Sequence, residues 1–465
     1  MPMHLDPLFL SRLQWAWVIG WHILLPAFTV GLASYIAVLE GLHYFTGDAA
    51  WLRISRFWTR IFAVSFAMGV VSGIIMPFQF GTNWSRFSDA AANVISPMLA
   101  YEDLMAFFLE ATFLGVLLFG RTLVPRGVHF FAACMVAVGT LFSSFWILSV
   151  NSWMQTPAGY AIRDGRFFPV DWMKIIFNPS FPYRLAHNVS AFYVTTGFVV
   201  LGVAAYLIRR GDHEADGRRM LRMALGFLTI FVPAQIGLGD MHGLNTREYQ
   251  PAKLAAIEGR WETGSRVPLT VFAVPDQAGE RNRYAVEVPL AGSLILTHSI
   301  DGEIRGLKSF PVDQRPPVWP VFFAFRIMVG IGLLMLGVIV LGWYLRFRRR
   351  LYARWYLRAC ELVAPLGFVA VLAGWTTTEV GRQPWTVYGL MRTAHSVSPS
   401  LTGPDVLWSL LAYMAVYLIM FPAGIVVMAG IVRTGPVAAE LPDKPVEGFQ
   451  HEAPFSIATD QPEEA

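Results

Sequence analysis

Ionisable and metal-binding side chains inside long apolar runs carry the chemistry of this sequence, because a charge at membrane depth is costly without a task or a partner. They are few: His22, Glu102, Asp103, Glu110, His187, Arg326, Met328 and Glu379. Two histidines, a methionine and carboxylates suit haem, whose iron takes His, Met or, less often, an anionic oxygen. A structural zinc site would instead want four nitrogen or sulfur ligands close together. Each residue also has a plainer use. His22 and His187 can join helices by hydrogen bonds, Met328 can fill a gap, Glu102 and Glu379 can pair with Arg326 or Arg382, and Glu110 can cap or pair instead of passing protons. Trp375, one turn before Glu379 on the same helix face, is a candidate cofactor neighbour.

The elements that must position these groups are membrane helices. Of 465 residues, 55% are hydrophobic and 15% charged, against roughly 25% charged in soluble domains, which excludes an ordinary soluble enzyme. A net charge of +4, with the arginines in short blocks between apolar runs, sets topology and excludes nucleic-acid binding. Cys134 and Cys360 lack metal or disulfide spacing and read as packing residues. Nine runs can cross a hydrocarbon core: 12–40, 54–78, 95–119, 128–151, 184–208, 219–240, 318–345, 356–380 and 405–432. The fold class is therefore all-α, polytopic and integral to the membrane. The first run is too long for a signal peptide and stays as a helix. No internal repeat is visible.

Alternate gaps hold the arginine blocks, Arg53 to Arg60, Arg121 to Arg126, Arg209 to Arg222 and Arg346 to Arg358. That puts the N-terminus outside and the C-terminus in the cytoplasm. His22, Glu102, His187, Met328 and Glu379 then share the outer half, about 5 to 15 Å below the surface, with Glu110 about 12 Å deeper than Glu102 and turned by about 80°. The membrane domain spans 1–433 and includes an outer segment, 241–317, in which Val267 to Val274 and Tyr284 to Leu296 predict a hairpin about Asp276-Gln277-Ala278-Gly279. Residues 434–465 read as a disordered cytoplasmic tail. Lys253 and Glu258 read by themselves as part of a solvated helix.

Several segments resemble subunit I of cytochrome bd-type quinol:oxygen oxidases: Phe78-Gln79-Phe80-Gly81-Thr82-Asn83-Trp84, Leu104 to Thr112, Asn151-Ser152-Trp153-Met154-Gln155, Lys253 to Thr263, Phe323 to Met328, and Gly381-Arg382-Gln383-Pro384-Trp385. The resemblance extends to about Arg433. It implies that His187 and Met328 are axial ligands of a low-spin haem b, with Arg326 near its propionates. His22 and Glu379 would serve a high-spin haem b and the oxygen-binding haem, a haem d or a third haem b, with His22 favoured for the latter. Glu102 resembles the carboxylate beside this pair, Glu110 a deeper proton-path acid, and Lys253 and Glu258 residues of a quinol-binding loop. The short loop places the chain with the branch that includes cyanide-insensitive oxidases. The family also implies a second large membrane subunit (subunit II), often a small single-span one, a bacterial cytoplasmic membrane location, and oxidation of quinol at the outer face with reduction of O2 to water, generating proton motive force without a pump.

Two rivals differ in observable ways. A haem b quinone dehydrogenase would use four stacked histidines, and the spans as read offer two. A haem-free transporter or channel using the buried acids would be colourless.

Overall fold

The computed structural model describes residues 6–437. Its helices are α1 (Pro7–His22), α2 (Pro26–Thr46), α3 (Ala49–Thr82), α4 (Ser85–Tyr101), α5 (Phe107–Phe119), α6 (Arg126–Gln155), α7 (Trp172–Ile176), α8 (Phe181–Arg210), α9 (Glu214–Tyr249), α10 (Pro251–Glu258), α11 (Ala291–Thr297), α12 (Val318–Phe347), α13 (Arg354–Val363), α14 (Leu366–Arg382) and α15 (Gly403–Thr434). Three antiparallel pairs complete it: β1 (Tyr160–Arg163) with β2 (Arg166–Pro169), β3 (Leu269–Asp276) with β4 (Arg281–Val288), and β5 (Trp385–Val387) with β6 (Met391–Arg392).

Among the described residues, nine helical segments are long and apolar enough to cross a membrane, one for each run expected. Three of them are composite. Pro26 restarts the first segment after a break at 23–25, a π-helical turn at Glu102–Ala106 joins α4 to α5, and α13 with α14 make the eighth. Local signals fix several ends. The Asp6 carboxylate accepts from the amides of Leu8 and Phe9 at the start of α1, and Thr402 with Asp405 forms a capping box on α15.

α8 is the central helix, packed against α2, α6, α9, α13 and α14. Its Phe198, Leu201 and Ala204 join Leu32, Ile36, Trp58, Phe62, Leu221 and Tyr356 in the main core. The arginine-rich connections lie together on one face. Arg53 pairs with Asp216 at 2.8 Å, Arg219 with Asp48 at 3.1 Å and Arg209 with Glu361 at 2.8 Å.

Two boundaries differ from the sequence reading. α9 continues to Tyr249, nine residues past the apolar run, because its last turns are held by protein instead of lipid; Asn245 and Thr246 are buried there. The hairpin exists, but its second strand ends at Val288. Pro289 has no amide proton to continue the ladder, and the chain turns into α11 instead of extending to Leu296. The tail from residue 438 lies outside the described residues.

Candidate functional site

α14 serves as a ruler for depth. Leu372 is the side chain nearest Gly20 of α1, and Trp375 packs in one apolar cluster with Ile23, Ala27, Phe192 and Val371. A Cβ placed on Gly374 would lie 3.0 Å from the Met328 sulfur. His22 and Met328, on opposite sides of α14, thus stand level with residues 372–375. Glu379 lies about 6 to 10 Å further along the helix. The structure brings His22, Met328, Trp375 and Glu379 to neighbouring levels along α14.

Ser72 engages one nitrogen of the His22 ring. The Ser72 hydroxyl lies 2.9 Å from His22 Nδ1 and 3.1 Å from the Gly69 carbonyl. With Nδ1 hydrogen-bonded, Nε2 is the ring nitrogen left for a metal, the arrangement of a metal-ligating histidine with its other nitrogen held by a partner. Gly73 leaves the room, since a Cβ there would sit 3.1 Å from His22 Cε1. His187 Nε2 is 3.3 Å from the Gln235 amide nitrogen, while its Nδ1 and Gln235 Oε1 are buried with no hydrogen-bond partner. One Gln235 amide satisfies only one ring nitrogen in either orientation.

A third histidine joins this region. The His242 ring centroid is 5.6 Å from that of His187. His43 and His129 also lie in spanning helices. The count of two intramembrane histidines was therefore too low; His242 falls just beyond the apolar run that α9 extends.

The two acids of the third segment face the same helix, which corrects the expected 80° divergence. Glu102 accepts from the Ser143 hydroxyl (2.7 Å), and Glu110 Cγ would be 2.6 Å from a Cβ on Gly139. Ser143 and Gly139 are one turn, about 6 Å, apart on α6. The π-helical turn between the acids changes their register, as such turns do at functional sites. Glu110 is buried with Oε1 unpartnered.

α10 is not a solvated helix. Every residue from Ala252 to Glu258 is buried. Lys253 Nζ donates to Gln155 Oε1 (2.5 Å) and Gln250 Oε1 (2.7 Å). Burial, with Arg184 adding repulsion, drives the Lys253 amine well below the usual lysine range. Burial raises the Glu258 carboxyl, and Arg326, 3.7 Å away, opposes that shift. The other Arg326 donors go to backbone carbonyls: Ile257 (2.7 Å), Phe322 (3.1 Å), and Thr270 and Val271 (each 3.1 Å). Arg326 therefore fastens α10 and β3 to α12. It was expected to face propionates, and these contacts give it a structural task.

Glu379 sits at the centre of a buried polar network. Its Oε1 accepts from Asn151 (3.1 Å) and Gln155 (3.3 Å), and its Oε2 from Arg382 (2.5 Å). Arg184, one turn before His187, donates to the Ser152 hydroxyl (3.0 Å) and to Asn151. Arg184, Arg382 and Lys253 thus surround one carboxylate, and Arg382 Nε and Nη1 are buried without a partner. That excess of cationic donors, with His22 Nε2, His187 Nδ1 and the Met328 sulfur, fits an iron cofactor bearing anionic groups. Arg184 escaped the sequence reading although it opens the fifth run, where a lone arginine at membrane depth is itself a signal. The pairings through Gln155 and Ser72 have no such signal.

The chain is similar to known proteins over nearly its whole length. The family model described as cytochrome bd terminal oxidase subunit I matches residues 10–436. The chain is 36% identical to cytochrome bd ubiquinol oxidase subunit 1 of Bacillus subtilis, covering 90% of this chain and 91% of the relative. It is 31% identical to cytochrome bd-II ubiquinol oxidase subunit 1 of Escherichia coli, with 94% and 98% covered. The bd oxidase structure from Geobacillus thermodenitrificans superposes with a TM-score of 0.87 at 32% identity, covering 93% of this chain and all of that one. With nearly the whole chain matched in sequence and fold, this protein belongs to the cytochrome bd terminal oxidase subunit I family.

Proposed function

We propose that this chain is the haem-bearing subunit of a quinol:oxygen oxidoreductase, a polytopic membrane protein that oxidises quinol at the outer face and delivers the electrons to oxygen. The observation that carries the reading is the placement of a buried amine and a buried acid, Lys253 and Glu258, on one short helix packed against α12 and α14, which bear Met328 and Glu379. When bound, the haems supply the electron path and the iron at which O2 is reduced to water.

The residues divide the remaining work. Lys253 donates a hydrogen bond to a quinol oxygen, and Glu258 accepts the proton as the quinol is oxidised, a general-base role suited to a carboxyl of raised pKa. His187 and Met328 would hold the low-spin haem b. His22, its Nδ1 hydrogen-bonded to Ser72, and Glu379 would hold the two high-spin haems, a haem b and a haem d or third haem b. Trp375, one turn before Glu379 on α14, would supply an aromatic neighbour to the bound cofactors. Glu110 and Glu102, both facing α6, pass cytoplasmic protons toward the outer half, so that charge crosses the membrane without a pump. The short outer segment supports membership of the short-loop branch with cyanide-insensitive members. Partners are subunit II and a small single-span subunit, in a bacterial cytoplasmic membrane with the N-terminus outside.

The test is a dithionite-reduced minus air-oxidised visible spectrum of the purified complex, repeated with carbon monoxide and followed by haem extraction. A red chlorin band that shifts with carbon monoxide, beside haem b bands, establishes haem d. Haem b alone, part of it binding carbon monoxide, makes it an all-b oxidase. A colourless protein overturns the reading and leaves the transporter.

A further inference from the structure

Gln155 ends α6 with no exposed surface, and its side-chain amide touches two sites at once. Oε1 accepts from Lys253 Nζ (2.5 Å) and from Gln250 Nε2 (3.0 Å), and Nε2 donates to Glu379 Oε1 (3.3 Å). The orientation of the amide is fixed chemically. The Glu379 carboxylate, ion-paired with Arg382, only accepts, so the NH2 end must face it and the oxygen must face Lys253. Close packing holds the geometry, because a Cβ on Gly381 of α14 would come within 2.8 Å of Lys253 Cγ. A buried amide of this kind transmits a change at one end to the other, since its dipole is unscreened.

We propose that Gln155 is a positioning residue that couples occupancy of the Lys253 site to the Glu379 carboxylate. Quinol or quinone drawing on the Lys253 amine weakens its hydrogen bond to Gln155 Oε1. The amide then donates less strongly to Glu379 Oε1, and the electron density of that carboxylate changes. The inference rests on Lys253 as a quinol contact and Glu379 as a haem ligand. It adds that the two are linked through one side chain.

The experiment uses the intact oxidase and two readouts: KM for a short-chain ubiquinol, and the visible absorbance change when the corresponding oxidised ubiquinone is titrated into the air-oxidised protein. Wild type should show a saturable shift of the high-spin haem bands. Gln155→Leu removes both arms and should raise KM roughly tenfold or more, the loss of one charge-assisted hydrogen bond, while abolishing the shift. Gln155→Glu keeps an acceptor for Lys253 but replaces the donor to Glu379. It should keep KM within about threefold of wild type and lose the shift. The coupling is overturned if Gln155→Leu retains both wild-type values, if Gln155→Glu retains the shift, or if haem-replete wild type shows no shift at saturating quinone. A wild type without haem instead refutes the proposed function. If Gln155→Leu fails to assemble, Gln155→Glu at wild-type haem content decides.

Discussion

Arg326 of α12 and Glu258 of α10 are joined at 3.7 Å, and the same guanidinium binds carbonyls on α10, α12 and β3. One side chain therefore both holds the outer segment against the membrane helices and moderates the charge of the acid it faces. Its guanidinium also lies 3.3 Å from the Phe322 ring centroid, a contact that lysine cannot reproduce with the same fork of donors.

Replacing Arg326 by Gln should loosen α10 and β3 from α12. KM for quinol should rise about tenfold or more, as expected for hydrogen bonds to a charged group. Steady-state kinetics against quinol concentration measures this; an unchanged KM would place the quinol site elsewhere.

The pH profile should be narrowed from both sides. Glu258 must be ionised to take a proton, and its pKa is raised by burial, so activity falls on acidification at a pH above the ordinary glutamate value of about 4.3. Lys253 loses its charge well below the usual lysine range, so the alkaline limb begins early. In Arg326→Gln the opposing cation is gone, Glu258 rises further, and the acid limb of kcat/KM moves to higher pH. An acid limb that stays in place would show that Glu258 is not the titrating base.

Ser72→Ala removes the hydroxyl hydrogen-bonded to His22 Nδ1. Loss of such a partner typically weakens a metal site about 10- to 100-fold, so the variant should purify with less high-spin haem and normal low-spin bands. Haem extraction and the carbon monoxide difference spectrum read this directly. Full occupancy would leave Ser72 a packing residue.

Gly139→Ala forces a methyl toward Glu110 Cγ, at a cost of about 1 to 3 kcal/mol for overpacking and with displacement of the acid. Glu110→Gln keeps the shape and removes the proton. Both should slow proton-coupled turnover while haem content stays intact. Wild-type oxygen uptake in Glu110→Gln would remove Glu110 from the proton path.

Much of the molecule is fixed by sequence pattern alone. Lipid offers no partner for backbone polar groups, so each long apolar run has to become a helix. That reasoning places His22, His187, Met328 and Glu379 on separate helices before any fold is known. Rare polar groups at membrane depth also announce themselves. Relations between helices are another matter, because they depend on packing and local register. The π-helical turn that brings Glu102 and Glu110 to one face of α6 has no composition signal, and neither does the Ser72 hydroxyl that engages His22 Nδ1. α10 and the residues just after it carry Lys253, Glu258, Arg260 and Glu262 within ten residues, and so read as solvated. Only the tertiary structure buries its two functional groups, by giving Lys253 the amides of Gln155 and Gln250 and giving Glu258 the Arg326 cation. Sequence decides which groups enter the membrane; the assembled bundle decides which of them meet, because hydrogen bonds and ion pairs are set by distances that no single helix contains.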